Sequence, residues 1–394
     1  LMACEKQGAW SDGYLKRALR DMHLDSRDAA LATRLCFGVL QNKLLLDWYL
    51  AHFCSSPLEK LDLSVRCILR IAAYQLLFLD KIPASAAVNE AVLLTKKYCR
   101  NPRASGMVNA VLRAMLRCEA LPDPNDICDA QRLSILYSHP RWLVEAFLER
   151  LGVEETEALL QADNTQPPIT AQVNTCRTDA QAVSARLTVE GVTVAEHPWL
   201  KNCLELTGTG DLEQLNAFRE GLFYIQDCAA RLAVTALGLK PGEQVLDCCA
   251  APGGKSFAAA MDLEGRGEII SCDIHSHKIR LLQAGRDRLG LDLITPMLQS
   301  ASESRADWTD RFDAVLCDVP CSGLGIIRKK PDIRYKDSAP LAGLPRVQLE
   351  ILRNCCAYVK PGGTLLYATC TLLRRENEDV VAAFLQDRPD FFLV

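Results

Sequence analysis

The sequence predicts a multidomain protein with an all-helical region, a small α+β module and a Rossmann-like α/β domain. Three observations support this prediction. The chain has 394 residues, which is enough for two or three domains. Apolar residues recur at helical spacing before residue 130, and strand-like and helical segments alternate after residue 221. We expect domain ranges of 1–130, 131–220 and 221–394.

The first region is predicted to be entirely helical. Its apolar residues follow the i, i+3, i+4 pattern of helices that bury one face, and Pro83 separates two of the segments. The predicted helices are 29–51, 63–79, 86–98 and 105–116.

The middle region is predicted to contain a linker helix and a small α+β module. A helix over 142–162 ends before Pro167 and Pro168, because proline interrupts helical hydrogen bonding. Short β-like runs at 169–174 and 192–195 then flank a helix-like stretch at 178–190.

The last region alternates strands and helices. Such alternation produces a parallel sheet with helices on both faces, and ligands of these sheets bind beyond the carboxyl ends of the strands. The predicted strands are 244–249, 268–274, 292–299, 312–318 and 363–370, and the predicted helices are 255–261, 276–289, 344–359 and 375–385.

The composition is that of a globular chain. Hydrophobic residues make up 49% and charged residues 24% of the sequence, which excludes fibrous and wholly disordered proteins. No apolar run approaches the roughly 20 residues of a membrane helix, and the first residues lack the pattern of a secretory signal. We therefore expect a cytoplasmic protein without a membrane segment.

Charge and cysteine content restrict the partners. The net charge is −4, so a nucleic acid has to be held by a local basic patch. The 18 cysteines are scattered and lack the paired C-x-x-C spacing of zinc sites. We expect reduced thiols that mostly fill the core, no bound metal and a monomer.

A predicted strand leads into a Gly-Gly turn and a helix at 245–256, with the sequence VLDCCAAPGGKS. Gly253 and Gly254 allow the backbone to approach a ligand, and the helix beyond presents unpaired N–H groups. Asp273 ends the next strand, where a carboxylate reaches ribose hydroxyls. Because the turn matches neither the dinucleotide nor the Walker spacing, another adenosine-bearing ligand is favoured.

Two cysteines follow two predicted strands at the same edge of the sheet. D-V-P-C at 318–321 closes the fourth strand, and A-T-C at 368–370 closes the fifth. This pattern fits covalent activation of cytosine, in which a thiolate adds to C6 and makes C5 nucleophilic. A base then removes the C5 proton, and an acid at N3 stabilises the developing charge.

The glycine turn and the two cysteine motifs resemble those of the S-adenosylmethionine-dependent RNA cytosine-5 methyltransferases. The resemblance implies that Cys370 is the nucleophile and Cys321 the base and release group. It also implies Asp318 as the partner of N3 and Lys255 as a stabiliser of the site. The implied cofactor is S-adenosylmethionine, and the candidate cofactor-binding residues are Cys249, Ala250, Ala251, Pro252, Gly253, Gly254, Lys255, Asp273, Ser300 and Asp318.

A basic run follows the P-C motif, with five cations in the nine residues 328–336. Cations beside a catalytic loop can bind phosphates, and an aromatic ring there can stack on a base. The target base has to leave its stack to reach Cys370. The candidate RNA-binding residues are Arg328, Lys329, Lys330, Arg334 and Tyr335.

The helical region resembles the NusB-like RNA-binding domain, on the stretches RLCFGVLQNKLLLDWYL, AAYQLLFLDKIPASAAVNEAV and VNAVLR. Joined to a cytosine-5 catalytic domain, it resembles the Sun/RsmB type of bacterial small-subunit rRNA methyltransferases. The resemblance implies methylation of cytosine C5 in 16S ribosomal RNA, free or in early assembly, with RNA also bound by the α+β module. Two alternatives stay open here: a methyltransferase for tRNA or large-subunit rRNA, and a non-catalytic RNA-binding assembly factor with a decayed methyltransferase fold.

Some positions depart from the family pattern. The acidic residue that the family places after the third strand is absent from 298–302, where Ser300 and Ser302 are the candidate substitutes. The family's Q-D-x-S-A-Q stretch is QDCAAR at 226–231, and its R-V-N motif is QVN at 172–174. The chain ends at 391–394, where a sixth strand is expected to begin, so the closing strand of the sheet is predicted to be missing.

Overall fold

The computed structural model describes residues 1–7, 11–124 and 127–394. It divides into two compact units. The first unit comprises Leu1–Gln166 and Leu324–Asp337, and the second comprises Pro167–Gly323 and Ser338–Val394. The domain boundaries predicted near residues 130 and 220 stay predictions, because this division is coarser.

The first unit is helical. Its central helix, α5, packs against α3, α4, α6 and α7 and buries Leu69 and Ala73 completely. The described helices are α1 (Met2–Gln7), α2 (Ser11–Met22), α3 (Ser26–Gln41), α4 (Lys43–Phe53), α5 (Leu63–Phe78), α6 (Ala84–Tyr98), α7 (Ala104–Arg117), α8 (Asp129–Tyr137) and α9 (Arg141–Asp163).

Two helices predicted to be continuous are interrupted. The predicted helix 29–51 is two helices, because Asn42 leaves the helical conformation and both its backbone N–H and its side-chain Nδ2 donate to the carbonyl of Gly38. The predicted helix 142–162 corresponds to α9, in which Gly152 has φ 76° and joins two helical stretches at a kink. Glycine tolerates this conformation because it has no Cβ.

The second unit begins with a four-stranded antiparallel sheet in the order β2-β3-β1-β4. The sequence predicted its first two strands and α10. It missed β3 and β4, and β4 has only three residues. The elements are β1 (Ile169–Val173), α10 (Ala180–Val189), β2 (Thr193–Glu196), β3 (Cys203–Thr207), α11 (Asn216–Arg219) and β4 (Phe223–Ile225).

The predicted Rossmann-like sheet is confirmed as five parallel strands in the order β7-β6-β5-β8-β9. The chain order reverses beside β5, and ligands of open α/β sheets bind at such a point. The elements are α12 (Cys228–Thr235), β5 (Gln244–Asp247), α13 (Gly254–Asp262), β6 (Glu268–Asp273), α14 (Ser276–Leu289), β7 (Ile294–Leu298), β8 (Phe312–Asp318), α15 (Leu344–Cys355), β9 (Val359–Ala368) and α16 (Glu378–Asp387).

Both faces of this sheet are covered. Val245 on β5 packs with residues of α12, α13 and α14. The next residue, Leu246, points to the other face and packs with residues of α15 and α16. This alternation follows from the two-residue period of a strand. In the described part of the chain, no helix is long and apolar enough to cross a membrane.

Candidate active site

The glycine turn between β5 and α13 is shaped by a backbone conformation that requires glycine. Gly253 precedes α13 with φ 115°, and a Cβ there would lie 2.4 Å from Cζ of Phe257. Cys249, Ala250, Ala251 and Pro252 form the preceding turn. The turn is held to β6 because the N–H of Ala250 donates to the carbonyl of Cys272 at 2.7 Å.

A series of buried hydrogen bonds between side chains lies beneath this turn. Ser271 Oγ donates to Ser256 Oγ at 2.8 Å, and Ser256 Oγ donates to Asp247 Oδ2 at 2.7 Å. Asp247 is fully buried, and burial raises its pKa to about 7. These hydrogen bonds connect the ends of β5 and β6 to α13, so they hold the residues beneath the turn in place.

The surroundings of the turn fit an adenosine-bearing cofactor. Gln226 is 7% exposed, its Nε2 has no hydrogen-bond partner in the structure, and this atom would lie 3.3 Å from a Cβ at Gly254. Asp273 ends β6 and is 6% exposed, and it accepts a hydrogen bond from the N–H of His275. A buried donor without a partner and a carboxylate at the strand end suit a polar ligand in this cleft.

The two predicted catalytic cysteines lie together. Their sulfur atoms are 3.1 Å apart, and the N–H of Cys370 donates to the sulfur of Cys321 at 3.2 Å. A hydrogen bond from the Cys321 thiol lowers the pKa of Cys370, whereas the same bond together with burial raises the pKa of Cys321. Cys370 is therefore the more acidic thiol of the pair, and it is also the exposed one.

Lys255 and Asp318 form an ion pair at the same edge. Lys255 Nζ donates to Asp318 Oδ2 at 2.6 Å, and the Lys255 and Asp318 side chains are 15% and 33% exposed. Their charges act on Cys370, where Asp318 raises and Lys255 lowers its pKa. The structure thus brings together all four residues predicted to be catalytic.

A buried hydrogen-bond network that the sequence did not predict holds the two cysteine loops, which are the loops that contain Cys321 and Cys370. Glu376 is fully buried, and its Oε2 accepts from the N–H of Ser322 and from Nε2 of Gln348, each at 2.9 Å. Gln348 Nε2 also donates to the carbonyl of Pro320 at 3.0 Å. Ser322 Oγ donates to Thr371 Oγ1 at 2.7 Å. The residues that follow Cys321 and Cys370 are therefore tied to one carboxylate.

Ser300 takes part in a local turn after β7. Its Oγ accepts a hydrogen bond from the N–H of Ser302 at 3.3 Å, and the next residue, Ala301, is buried. The carbonyl of Ala301 accepts from Asn354 Nδ2 at 2.7 Å. A cofactor contact of Ser300 or Ser302 stays a prediction.

The predicted RNA-binding run belongs to the first unit. Lys329 is exposed, Lys330 is half-buried, and Nη2 of Arg328 donates to the carbonyl of Gln166 at 2.9 Å. These three residues stay candidates for phosphate contacts.

Arg334 is a correction to the predicted RNA surface, and Tyr335 stays a prediction. Arg334 is fully buried, and its Nη1 donates to Asn164 Oδ1 at 2.8 Å and to the carbonyl of Tyr137 at 3.1 Å. The Tyr335 hydroxyl lies 2.8 Å from the carbonyl of Leu40, and Lys43 Nζ lies over its ring. Packing within the first unit therefore occupies the Arg334 side chain, which offers no surface to RNA in this structure, whereas Tyr335 is half-buried.

Comparison with known proteins identifies the family. Residues 234–394 match the family model of the 16S rRNA methyltransferase RsmB/F, residues 1–117 match the NusB family, and residues 139–213 match the ferredoxin-like domain of RsmF/B-like methyltransferases. The "Probable ribosomal RNA small subunit methyltransferase B" of Bacillus subtilis strain 168 is 38% identical over 394 residues, which cover 99% of this chain and 87% of the relative. The chain belongs to the RsmB/F family of 16S rRNA methyltransferases.

Two further similar proteins support this family assignment. The ribosomal RNA small subunit methyltransferase B of Vibrio cholerae serotype O1 is 34% identical, over 93% of this chain and 83% of the relative. The crystal structure of PH0851 has a TM-score of 0.81 and 27% identity, and the match covers 96% of this chain and 86% of that one. The RsmB/F chain is thus a small-subunit rRNA methyltransferase, and its cofactor is S-adenosylmethionine.

Proposed function

We propose that this RsmB/F chain methylates C5 of a cytosine in 16S ribosomal RNA through a covalent adduct between Cys370 and C6. The separation of 3.1 Å between the sulfurs of Cys321 and Cys370 carries this proposal. Two thiols at that distance, one lowered and one raised in pKa, supply a nucleophile and a separate proton carrier. Methylation of a nucleophilic oxygen or nitrogen needs no such pair.

The first step is addition of the Cys370 thiolate to C6 of the extruded cytosine. The new C–S bond converts the 5,6 double bond into an electron-rich enamine, and negative charge develops toward N3. The proton shared by Lys255 and Asp318 passes to N3 and neutralises that charge. Their hydrogen bond of 2.6 Å sets the proton at the site before the substrate arrives.

Methyl transfer follows from the activated C5. The bound cofactor supplies an electrophilic methyl group on a sulfonium sulfur. Gly253 and Gly254 would hold it through their backbone, and Asp273 would hold its ribose hydroxyls. The C5 electron pair would form the new C–C bond as the methyl–sulfur bond of the cofactor breaks and leaves a neutral thioether. The proton on N3 would return to the pair of Lys255 and Asp318, and the ring then carries both a methyl group and a proton on C5.

Release requires that C5 lose its proton. Once the Cys370 sulfur is bound to C6 it no longer carries a negative charge, which removes part of what raises the pKa of Cys321 and favours loss of the Cys321 proton. The Cys321 thiolate then takes the C5 proton, the C5–H electrons re-form the 5,6 double bond, and the C6–S bond breaks. Cys370 returns as a thiolate.

The RNA is held by phosphate contacts. We propose Arg328, Lys329 and Lys330 as phosphate-binding residues, because they are consecutive cations of the predicted run and each keeps some exposure. An overall charge of −4 leaves such a local cluster as the main attraction for RNA.

The deciding experiment measures methyl transfer to 16S rRNA and maps the modified base. Wild-type protein is expected to transfer tritiated methyl groups to one cytosine, detected at C5 by bisulfite sequencing. Cys370→Ala should reduce transfer by at least three orders of magnitude, whereas Cys356→Ala serves as a matched control and should leave it unchanged. Undiminished transfer by Cys370→Ala, or a product on tRNA or 23S rRNA in place of 16S rRNA, contradicts the proposal.

A further inference from the structure

Three cysteines from separate segments meet in the core behind the glycine turn. Cys248 follows β5, Cys317 lies in β8 and Cys355 ends α15. They are 3%, 0% and 0% exposed, and their sulfur atoms all lie within 4.8 Å of one another. In the described part of the chain, this is the one group of three or more His, Cys, Asp or Glu residues with such spacing.

The three thiols point toward each other and not simply into the core. The sulfurs of Cys248 and Cys317 both lie within 4.8 Å of the sulfur of Cys355. The next residue, Cys356, is also buried, but it is not part of this group, and its thiol donates to the carbonyl of Arg353 at 3.1 Å. Convergence of the sulfurs is therefore a property of these three positions.

Their spacing suits a common ligand. Zinc–sulfur bonds of about 2.3 Å in a tetrahedral site separate two sulfurs by about 3.8 Å. Sulfurs within 4.8 Å of one another need shifts of about 1 Å or less to reach that arrangement, and small rotations of the side chains provide them.

The backbone offers a candidate fourth donor beside Cys355. The carbonyl oxygen of Ala301 lies 3.6 Å from the sulfur of Cys355. Bonds of about 2.3 Å to sulfur and about 2.1 Å to oxygen at a tetrahedral angle also give a separation of about 3.6 Å. Asn354 Nδ2 donates to the same carbonyl at 2.7 Å, which orients it as outer hydrogen bonds orient metal ligands.

We propose that Cys248, Cys317 and Cys355 bind a thiophilic cation of the Zn²⁺ or Cu⁺ class, with the carbonyl oxygen of Ala301 as fourth donor. Sulfur donors select such ions over Mg²⁺ and Ca²⁺, which prefer oxygen. The expectation of a metal-free chain came from the missing C-x-x-C spacing, but here each ligand comes from a different segment. The proposal does not depend on the methylation chemistry.

The bound cation would link four segments at the cofactor edge of the sheet: the end of β5, β8, the loop after β7 and α15. Ligand binding to the folded state alone stabilises it by mass action. We therefore expect the thermal midpoint of unfolding to rise on metal loading, by an amount that grows with free metal concentration.

The test titrates Cd²⁺, a spectroscopic probe for thiolate sites, into reduced full-length protein carrying Cys321→Ala and Cys370→Ala, so that the catalytic pair does not contribute. Thiolate-to-metal absorption is expected to saturate at one Cd²⁺ per chain. A further Cys355→Ser substitution should abolish the band, and the matched control Cys356→Ser should retain it. No saturating band, or a full band in the Cys355→Ser variant, overturns the proposal.

A second measurement avoids variants that fail to fold. Metal analysis of wild-type protein purified without chelator, followed by X-ray absorption at the zinc or copper edge, should report three sulfurs and one oxygen around the metal. A loaded protein whose metal has no sulfur neighbours, or a protein that takes up neither ion from micromolar solution, contradicts the site.

Discussion

The sulfur of Cys321 lies 3.1 Å from the sulfur of Cys370 because β8 and β9 run in parallel register up to the pair Asp318 and Ala368. Each cysteine follows its strand within three residues, so the sheet itself brings the two thiols together. The hydrogen bond between them separates their pKa values in opposite directions. One proton placed between two sulfurs thereby distinguishes the roles of two chemically identical side chains.

Replacing Cys321 should trap the reaction after methyl transfer. Cys321→Ala removes the proposed proton acceptor for C5, so the C6–S bond of Cys370 cannot break. A protein–RNA adduct that survives denaturing electrophoresis is expected, and Cys321→Ala/Cys370→Ala should abolish it. Rapid turnover by Cys321→Ala without an adduct contradicts the assigned role.

The pH dependence of Cys370 reactivity should also depend on Cys321. The hydrogen bond from Cys321 is the largest cause of the lowered pKa of Cys370, so Cys321→Ala raises that pKa and the thiolate forms only at higher pH. Alkylation by iodoacetamide, followed by mass spectrometry across a pH series, should show the midpoint for Cys370 moving upward. Cys176→Ala, at an exposed cysteine of the same unit, is the control, and an equal midpoint in both variants refutes the explanation.

Glu376 should position both cysteine loops. Glu376→Ala leaves the N–H of Ser322 without its acceptor and removes one of the two acceptors of Gln348 Nε2. A buried donor left unpaired costs about 1–3 kcal/mol of stability. We expect a fall in kcat with little change in KM for RNA, and urea unfolding at lower concentration. Glu376→Gln keeps an acceptor oxygen and should recover most of the kcat; equal loss in both variants contradicts a positioning role.

Gly253 should be needed for cofactor binding. Gly253→Ala places a Cβ 2.4 Å from the Phe257 ring at φ 115°, so the turn has to distort at a cost of about 1–3 kcal/mol. Calorimetry should show S-adenosylmethionine affinity reduced about tenfold or more. Gly343→Ala is the matched control, because a Cβ there meets no atom within 4 Å; equal affinity of the two variants refutes the prediction.

Asp247 should make stability depend on pH. Burial raises its pKa from 3.8 in the unfolded chain to about 7 in the fold, so the folded state keeps a proton that the unfolded state loses. Stability relative to Asp247→Asn should therefore fall as pH rises from about 4 to 7 and stay level above 7, by a total of about 4 kcal/mol. Urea unfolding of both proteins at several pH values measures this difference, and parallel curves contradict it.

Regular local patterns were the best-predicted part of the fold. α14 and β8 have the bounds that the sequence predicts, 276–289 and 312–318. The helix ends before Gly290, which has a left-handed conformation. The strand contains the apolar run 314–317, which Asp313 and Asp318 flank. The proximity of Cys321 and Cys370 was predictable as well, because each cysteine follows the end of its own strand.

Long-range contacts account for what the sequence did not predict. Nothing near Glu376 in the chain indicates that its carboxylate is buried under Ser322, 54 residues away. The same holds for Arg334, whose cationic neighbours suggest a surface loop although Asn164 binds it in the core of the first unit. Such partners become visible only when distant segments are folded together.

The membership of residues 324–337 in the first unit has a practical consequence for dissecting the enzyme. The polypeptide passes from one unit to the other three times, so neither half is a continuous stretch of the gene. A product ending at Gln166 would lack Arg334. The carbonyl of Tyr137 and the side chain of Asn164 would then lose this hydrogen-bond donor and be exposed to water. A study of the first unit alone therefore has to add the fourteen residues 324–337, either as a separate peptide or by fusion to the truncated protein.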